Sequence, residues 1–321
     1  MVMTSMRQDP SHRPGPIGRS WGGEAEAEAG SSGVGRFLSV VVPAKNESAS
    51  LAQLVEEVVS ALRPLRAERP GVQAPRLAGF ELVLVDDGST DATPEVLRRL
   101  SGDFPELRPV RLAANVGQSA ATAAGFRLAR GDWVATLDAD LQNDPADLAV
   151  LWDALPGHDA ALGWRARRRD VWSKRVVSRW ANRARNMVLG QSIRDTGCSV
   201  RIFPRRMALR LPMFRGCHRF FGPMLLREGC SVVQVAVNHR PRPHGTSHYN
   251  IWNRSTRVVV DLFGVAWLMR RDACYEVASV GAGPEMPGPE AETAASVSAS
   301  SASTAPGPHR SPRGVGQGQE A

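Results

Sequence analysis

Cysteine is scarce in this chain of 321 residues: Cys198, Cys217, Cys230 and Cys274, with no CxxC spacing among them. That excludes a disulfide scaffold and offers no zinc signature, so the thiols read as buried or neutral groups in a reducing compartment. Long apolar runs are also missing. None reaches the roughly 18 to 20 residues that a membrane-spanning helix requires. The longest late candidate, Val258 to Met269, contains Asp261 and as a helix covers only about 18 Å at about 1.5 Å per residue. The chain is therefore expected not to span a bilayer by itself. Met1 to Arg36 lacks the apolar centre of a secretory leader, and no internal repeat is visible. Glycine and proline have no collagen-like period, and a hydrophobic content of 42% excludes a wholly disordered chain.

One absence is regional. Residues 163–271 hold only 4 Asp/Glu against 23 Lys/Arg, whereas residues 1–162 hold 22 against 15 and residues 272–321 hold 6 against 2. The overall charge of +8 conceals this division. A half so lopsided points to an anionic partner: phosphates, a lipid surface or nucleic acid. Both ends are rich in Gly, Pro, Ser and Glu. Residues 1–36 and 278–321 are expected to be disordered tails.

Between Phe37 and Gly163, short β-branched runs alternate with helical patterns. Phe37 to Val42 predicts a strand, and Pro43 to Glu47 a loop. Ser48 to Arg63 predicts a helix capped by Ser48, with Leu51, Leu54, Val55, Val58, Val59 and Leu62 on one face. Further strands are predicted at Phe80 to Val85, Pro109 to Leu112 and Trp133 to Leu137, with helices between them ending near Leu100 and Arg130. Strands alternating with helices imply a parallel sheet with right-handed crossovers, whose ligands bind at the carboxyl ends of the strands. Each polar cluster stands at such an end: the Pro43 loop, the Asp86 loop, Asn115 and the Asp138–Asp140 pair.

Asp138 and Asp140, two residues apart at a strand end, can reach one hard cation, and Gln142 adds a neutral oxygen. Mg²⁺ or Mn²⁺ takes a few such ligands and fills the rest with water and substrate phosphate. The pair would serve equally as turn aspartates capping the helix near Pro145. Asp86-Asp87-Gly88-Ser89 offers acceptors for a nucleoside's N–H and hydroxyl groups, or a plain strand-to-helix turn capped by Thr90 or Asp91. No GxGxxG follows the first strand, so a dinucleotide fingerprint is lacking.

Together these stretches resemble a known family. VVVPAKNE (40–47), VDDGSTD (85–91), NVGQSAA (115–121) and LDADLQNDP (137–145) look like family 2 glycosyltransferases of the GT-A fold. GWR (163–165), KRVVSRWAN (174–182), DTGCSVRIF (195–203) and RPHGTSHYN (242–250) resemble the dolichol-phosphate mannosyltransferase branch and its bacterial polyprenyl-phosphate relatives. The resemblance covers residues 37–271 and implies a Rossmann-like, mostly parallel sheet flanked by helices. It departs from the family at His248, where a lysine is common, and at Gly197 to Arg201. By resemblance, Pro43, Lys45, Glu47, Asp86, Asp87, Gly117 and Asp138 hold the nucleotide sugar, and Asp138, Asp140 and Gln142 hold the metal. The implied catalytic set is Asp140, Asp195, Arg165, Arg201 and Arg242, with Lys174, Arg175, Ser178 and Ser247 toward the phosphate and acceptor.

The basic half then has a use. Arginines interleaved with Trp172 and Trp180 suit a headgroup zone or a lipid phosphate. Nucleic acid would be repelled by the strand-end carboxylates. Residues 37–250 are expected to form the catalytic domain and 251–277 an amphipathic, membrane-associated helix. The expected reaction moves mannose from GDP-mannose, or a hexose from a UDP-sugar, to a polyprenyl phosphate, inverting and metal-dependent. It would occur on the cytoplasmic face of a membrane, with a membrane-protein partner possible. Two rivals stand beside it: transfer to a sugar hydroxyl in cell-envelope polysaccharide synthesis, with Asp195 as base, and a silent nucleotide-sugar-binding subunit.

Overall fold

The computed structural model describes residues 4–6, 36–166, 183, 185–241 and 251–271, with 4–6 and 251–258 as backbone alone. Seven strands form the body of one sheet. They are β2 (Arg36–Ala44), β3 (Leu77–Asp86), β4 (Leu107–Arg111), β5 (Trp133–Thr136), β6 (Ala160–Arg165), β7 (Arg201–Pro204) and β8 (Val232–Val237). Their order is β8-β6-β7-β5-β2-β3-β4. Every neighbouring pair is parallel except the two made by β7, which runs antiparallel to both β5 and β6. The expected mostly parallel sheet is present, with one reversed strand at its centre. A three-residue strand, β1 (Thr4–Met6), lies antiparallel on the outer edge of β8. This corrects the expectation of an unstructured tail for those three residues: an open strand edge offers unpaired backbone groups that even a short segment can take.

Side chains leave the strands alternately to two cores. Val40, Val42, Leu82 and Leu84 face one, where α1 (Leu51–Leu62) and α4 (Asp147–Asp153) pack. Val41, Val83 and Val85 face the other, under α3 (Gln118–Leu128), α5 (Arg205–Arg210) and α6 (Phe221–Arg227). Helix α2 (Thr93–Asp103) joins β3 to β4. All six apolar positions predicted for the first helix are buried, each worth about 1.5–3 kcal/mol relative to exposure. The helix starts at Leu51 rather than Ser48, and its N-terminal Ser50 makes no side-chain cap. The Ser50 hydroxyl donates instead to the carbonyls of Glu47 and Ala139, at 2.9 and 2.8 Å. Strand β2 runs on through Pro43 to Ala44, so the first part of the expected loop is strand. Pairing with β5 stops at Val41, so the missing proline N–H falls beyond it.

Cys198, Cys217 and Cys230 are free and buried, as expected. Burial pushes the Cys198 thiol up to about 11 and Cys230 to about 12, so neither is a thiolate at neutral pH. Cys274 and residues 278–321 lie outside the described residues. The last helix, α7 (Ile251–Arg270), buries Val265 and Ala266 in the second core and leaves Val259, Val260, Phe263 and Trp267 exposed. Among the described residues no helix is long and apolar enough to cross a membrane.

Candidate active site

The loops at the carboxyl ends of β2, β3 and β5 lock to one another. Asp86 is buried; its Oδ1 accepts the Ser89 N–H at 2.8 Å, while its buried Oδ2 has no hydrogen bond and lies 3.6 Å from Arg111 Nε. Asp87 next to it is fully engaged. Its two oxygens accept the Val116 and Gly117 N–H groups at 2.8 and 2.9 Å, fixing the loop that opens α3. The expectation that Asp86 and Asp87 act alike therefore divides: Asp86 keeps one oxygen without a hydrogen bond, and Asp87 positions the loop. Gly88 explains why the loops can touch. It has φ +64°, and a Cβ there would stand 2.6 Å from the Asn115 nitrogen.

Lys45 Nζ donates to the Gly88 carbonyl at 2.9 Å. Asn46, at φ +54°, receives the Thr90 N–H on its side chain and donates its own N–H to Ser89 Oγ. Glu47 donates its N–H to Thr93 Oγ1 at 3.1 Å. The Pro43-to-Glu47 segment and the Asp86 loop are thus one hydrogen-bonded unit.

Asp138 and Asp140 follow β5. Burial and the Asp140 carboxylate beside it raise the Asp138 pKa above the ordinary range, with Arg201 and Arg165 pulling the other way. Gln118 Nε2 donates to Asp138 Oδ1 at 2.9 Å, so α3 fixes one of its oxygens. Asp140 Oδ1 accepts the Gln142 N–H at 3.1 Å across Leu141, whose φ is +58°. Two carboxylates this close, with the Asp138 charge disfavoured by the second, are a donor set suited to a hard divalent cation. Among the described residues no three His, Cys, Asp or Glu side chains converge, so the protein would supply only part of any coordination shell.

The second half of the site is held by arginine. Arg165 Nε and Nη2 grip Asp195 at 2.7 and 3.0 Å, and the N–H groups of Arg165 and Gly197 add to the same carboxylate at 3.3 and 3.0 Å. A Cβ at Gly197 would meet Arg165 Nη2 at 2.8 Å, so a larger residue there would push on the guanidinium that holds Asp195. Arg201 is buried, donates to the Thr196 carbonyl at 3.1 Å and lies over the Phe221 ring. Arg185 donates to the Thr196 hydroxyl. Burial lowers the pKa of both Arg201 and Arg185, yet both remain cations at neutral pH.

The structure thus brings together Asp86, Asp87, Gly117, Lys45 and Glu47 on one side, and Asp138, Asp140, Arg201, Arg165 and Asp195 on the other. Pro43 contributes backbone within β2, paired with Val85. Lys174, Arg175, Ser178, Arg242 and Ser247 lie outside the described residues. Sequence reasoning overlooked Gln118, Arg185 and Arg240. Gln118 was open to discovery, because it directly follows the glycine that caps a helix at a strand-end loop.

A parallel sheet with one reversed strand and carboxylates at strand ends define a fold of the GT-A type. The chain belongs to glycosyl transferase family 2, whose model matches residues 39–212, and it is a glycosyltransferase. It is 38% identical over 242 residues to dodecaprenyl-phosphate galacturonate synthase of Rhizobium johnstonii, covering 74% of this chain and 68% of the relative. It is 32% identical over 218 residues to undecaprenyl-phosphate 4-deoxy-4-formamido-L-arabinose transferase of Aeromonas hydrophila, covering 67% of this chain and 64% of the relative. The chain thus spans about two thirds of the length of these relatives. Among solved structures, the Pyrobaculum calidifontis mannosyltransferase PcManGT, in complex with GDP-Man and Mn²⁺, superposes with a TM-score of 0.53. It shares 20% identity, over 76% of this chain and 67% of that one.

Proposed function

We propose that this glycosyltransferase moves a sugar from a nucleoside-diphosphate sugar to a polyprenyl phosphate, inverting the anomeric centre, on the cytoplasmic face of a membrane. The observation that carries the reading is the engagement of Asp195. A hydroxyl acceptor must lose a proton as it attacks, which calls for a base. Asp195 is the carboxylate its motif offers, and the Arg165 fork with two backbone N–H groups occupies both its oxygens. A carboxylate whose two oxygens are both held in this way is poorly placed to take a proton from an acceptor hydroxyl. A phosphate acceptor needs none, being anionic at neutral pH. Arg201 and Arg185, beside Asp195, supply positive charge for it, and forked arginines suit phosphate oxygens.

On the donor side, Asp86 Oδ2, which accepts no hydrogen bond and lies 3.6 Å from Arg111 Nε, suits an N–H of the base. Asp138 and Asp140, with Gln142, would hold Mg²⁺ or Mn²⁺. The ion would offset the charge that builds on the diphosphate leaving group. The Mn²⁺ beside GDP-Man in PcManGT favours the same arrangement. Arg165 and Arg201 then orient the reacting groups, and catalysis rests on positioning and charge. The two curated relatives name galacturonate and 4-deoxy-4-formamido-L-arabinose, so the mannose or glucose expected from sequence gains no support from them. Membrane contact rests on the exposed Val259, Val260, Phe263 and Trp267 of α7, a face that suits the interfacial zone. The relatives' lipid-linked acceptors agree with it.

The test is transfer from a panel of labelled nucleotide sugars, including GDP-mannose, UDP-glucose and UDP-galacturonate, into a lipid extract with Mn²⁺, Mg²⁺ or EDTA. Label in a mild-acid-labile lipid, abolished by EDTA, is expected. Label only in water-soluble or polymeric material would move the acceptor to a sugar hydroxyl.

A further inference from the structure

The chain leaving β8 folds back across the loop that carries Asp140. Asn238 donates its N–H to Asp147 Oδ2 at 2.8 Å, and His239 pairs with Asn143 as an isolated antiparallel bridge. Arg240 donates its N–H to the Gln142 carbonyl at 2.8 Å. Its side chain then divides. Nη1 reaches Glu57 Oε2 on α1 at 2.6 Å, and Nη2 reaches Asp144 Oδ1 at 2.8 Å. One residue therefore ties three segments: α1, the loop from Asp138 to Asp144, and the strap 238–241. Two residues further along the chain stands Arg242, which opens the RPHGTSHYN segment expected to meet the acceptor.

The sheet does not need this link, because β8 is already secured along its length by pairing with β6. The arrangement also exploits what only arginine provides: two N–H arms fixed in one plane, each aimed at a different carboxylate. Lysine, a single point charge, cannot occupy both positions with that geometry.

We infer that Arg240 is a positioning residue that fixes the loop bearing Asp140 and Gln142 against α1. The inference rests on the glycosyltransferase reading of the site. Loosening the clamp frees the Asp140 loop to sample other positions. Metal-assisted donor binding then weakens, and turnover falls with it.

The full chain is compared as wild type, Arg240→Ala, Arg240→Lys and Glu57→Gln. Arg69→Ala is the control, since it breaks another forked pair, with Asp153 at 2.9 and 2.6 Å, that touches no site loop. Binding of UDP and of GDP is titrated calorimetrically against Mn²⁺ concentration, and Tm is recorded for each variant. Arg240→Ala is expected to raise the half-saturating Mn²⁺ concentration about 10-fold. Glu57→Gln should move it the same way by about 3-fold, and Arg240→Lys should restore only part of the loss. In the lipid-transfer assay, the Mn²⁺ concentration giving half the maximal rate should rise in step for Arg240→Ala. Wild-type Mn²⁺ dependence in both Arg240→Ala and Glu57→Gln would overturn the inference, whatever happens to Tm. Glu57→Gln keeps the question decidable if Arg240→Ala fails to fold. Wild-type binding of both nucleotides that ignores Mn²⁺ would instead overturn the donor-site reading, and the inference with it.

Discussion

The donor loops and the arginine-rich half hold their charged groups in opposite ways. In the donor loops, carboxylates are held by amides: Asp86 by Ser89, Asp87 by Val116 and Gly117, Asp91 by Thr93 and Ser48, and Asp140 by Gln142. A carboxylate fixed by amides is oriented by neutral donors, an arrangement that suits a cation or an N–H donor. In the other half, carboxylates are held by guanidinium groups, as Asp195 is by Arg165 and Glu57 by Arg240. Each such pair offsets its own charge, while Arg201 and Arg185 both donate to Thr196. The same residue type, aspartate, is thus oriented by amides in one half and clamped by a guanidinium in the other.

The largest expected effect breaks the first half. Asp140→Asn should lower turnover by on the order of 100-fold or more while leaving Tm nearly unchanged, measured by lipid transfer and thermal unfolding. Turnover at the wild-type rate would remove Asp140 from the metal site. Asp195→Asn should do the reverse. The Arg165–Asp195 pair is largely buried, with side chains 14% and 8% exposed, and removing one charge strands the other. A loss of about 3 kcal/mol in urea unfolding is expected. A variant that keeps its stability and loses only turnover would restore Asp195 as a base.

Gly88→Ala should cost about 1–2 kcal/mol for its positive φ, and the clash with Asn115 should weaken nucleoside-diphosphate binding. Unchanged affinity would show that the two loops move independently. The smallest effect concerns Asp147, which burial raises to about 7 although the Asn238 N–H opposes the shift. A folded-state pKa above the unfolded value gives stability that is present at low pH and lost as pH rises through about 7. Wild-type Tm should therefore fall between pH 5 and pH 8 by more than that of Asp147→Asn, whose amide can still accept the Asn238 N–H. Parallel Tm curves would contradict this account of Asp147.

The donor half was legible because its information is local. Apolar alternation in β2 and β3, helical spacing in α1 and polar residues at strand ends are patterns of a few residues, and the structure repeats them with boundaries moved by a few positions. Pro43 misled because a proline beyond the last β5 contact can remain in strand. Ser48 misled because the helix starts only at Leu51, and the hydroxyl of Ser50 before it serves Ala139, far along the chain. The arginine half was legible only as a charge total. Nothing in the spacing of Arg240 and Glu57, 183 residues apart, announces their pairing. Nor does DTGCSVRIF reveal that its aspartate would be gripped by an arginine in another strand. Such pairs are products of the fold, so their roles became visible only with it.

The most direct measurement of the central claim compares two lipids that differ in one group. Purified protein is given the productive nucleotide sugar with Mn²⁺ and either a polyprenyl phosphate or the same free polyprenol in detergent. The account predicts transfer to the phosphate alone, because the site offers arginines for an anion and no unclamped carboxylate at Asp195 for a hydroxyl. Comparable transfer to the free alcohol would contradict it.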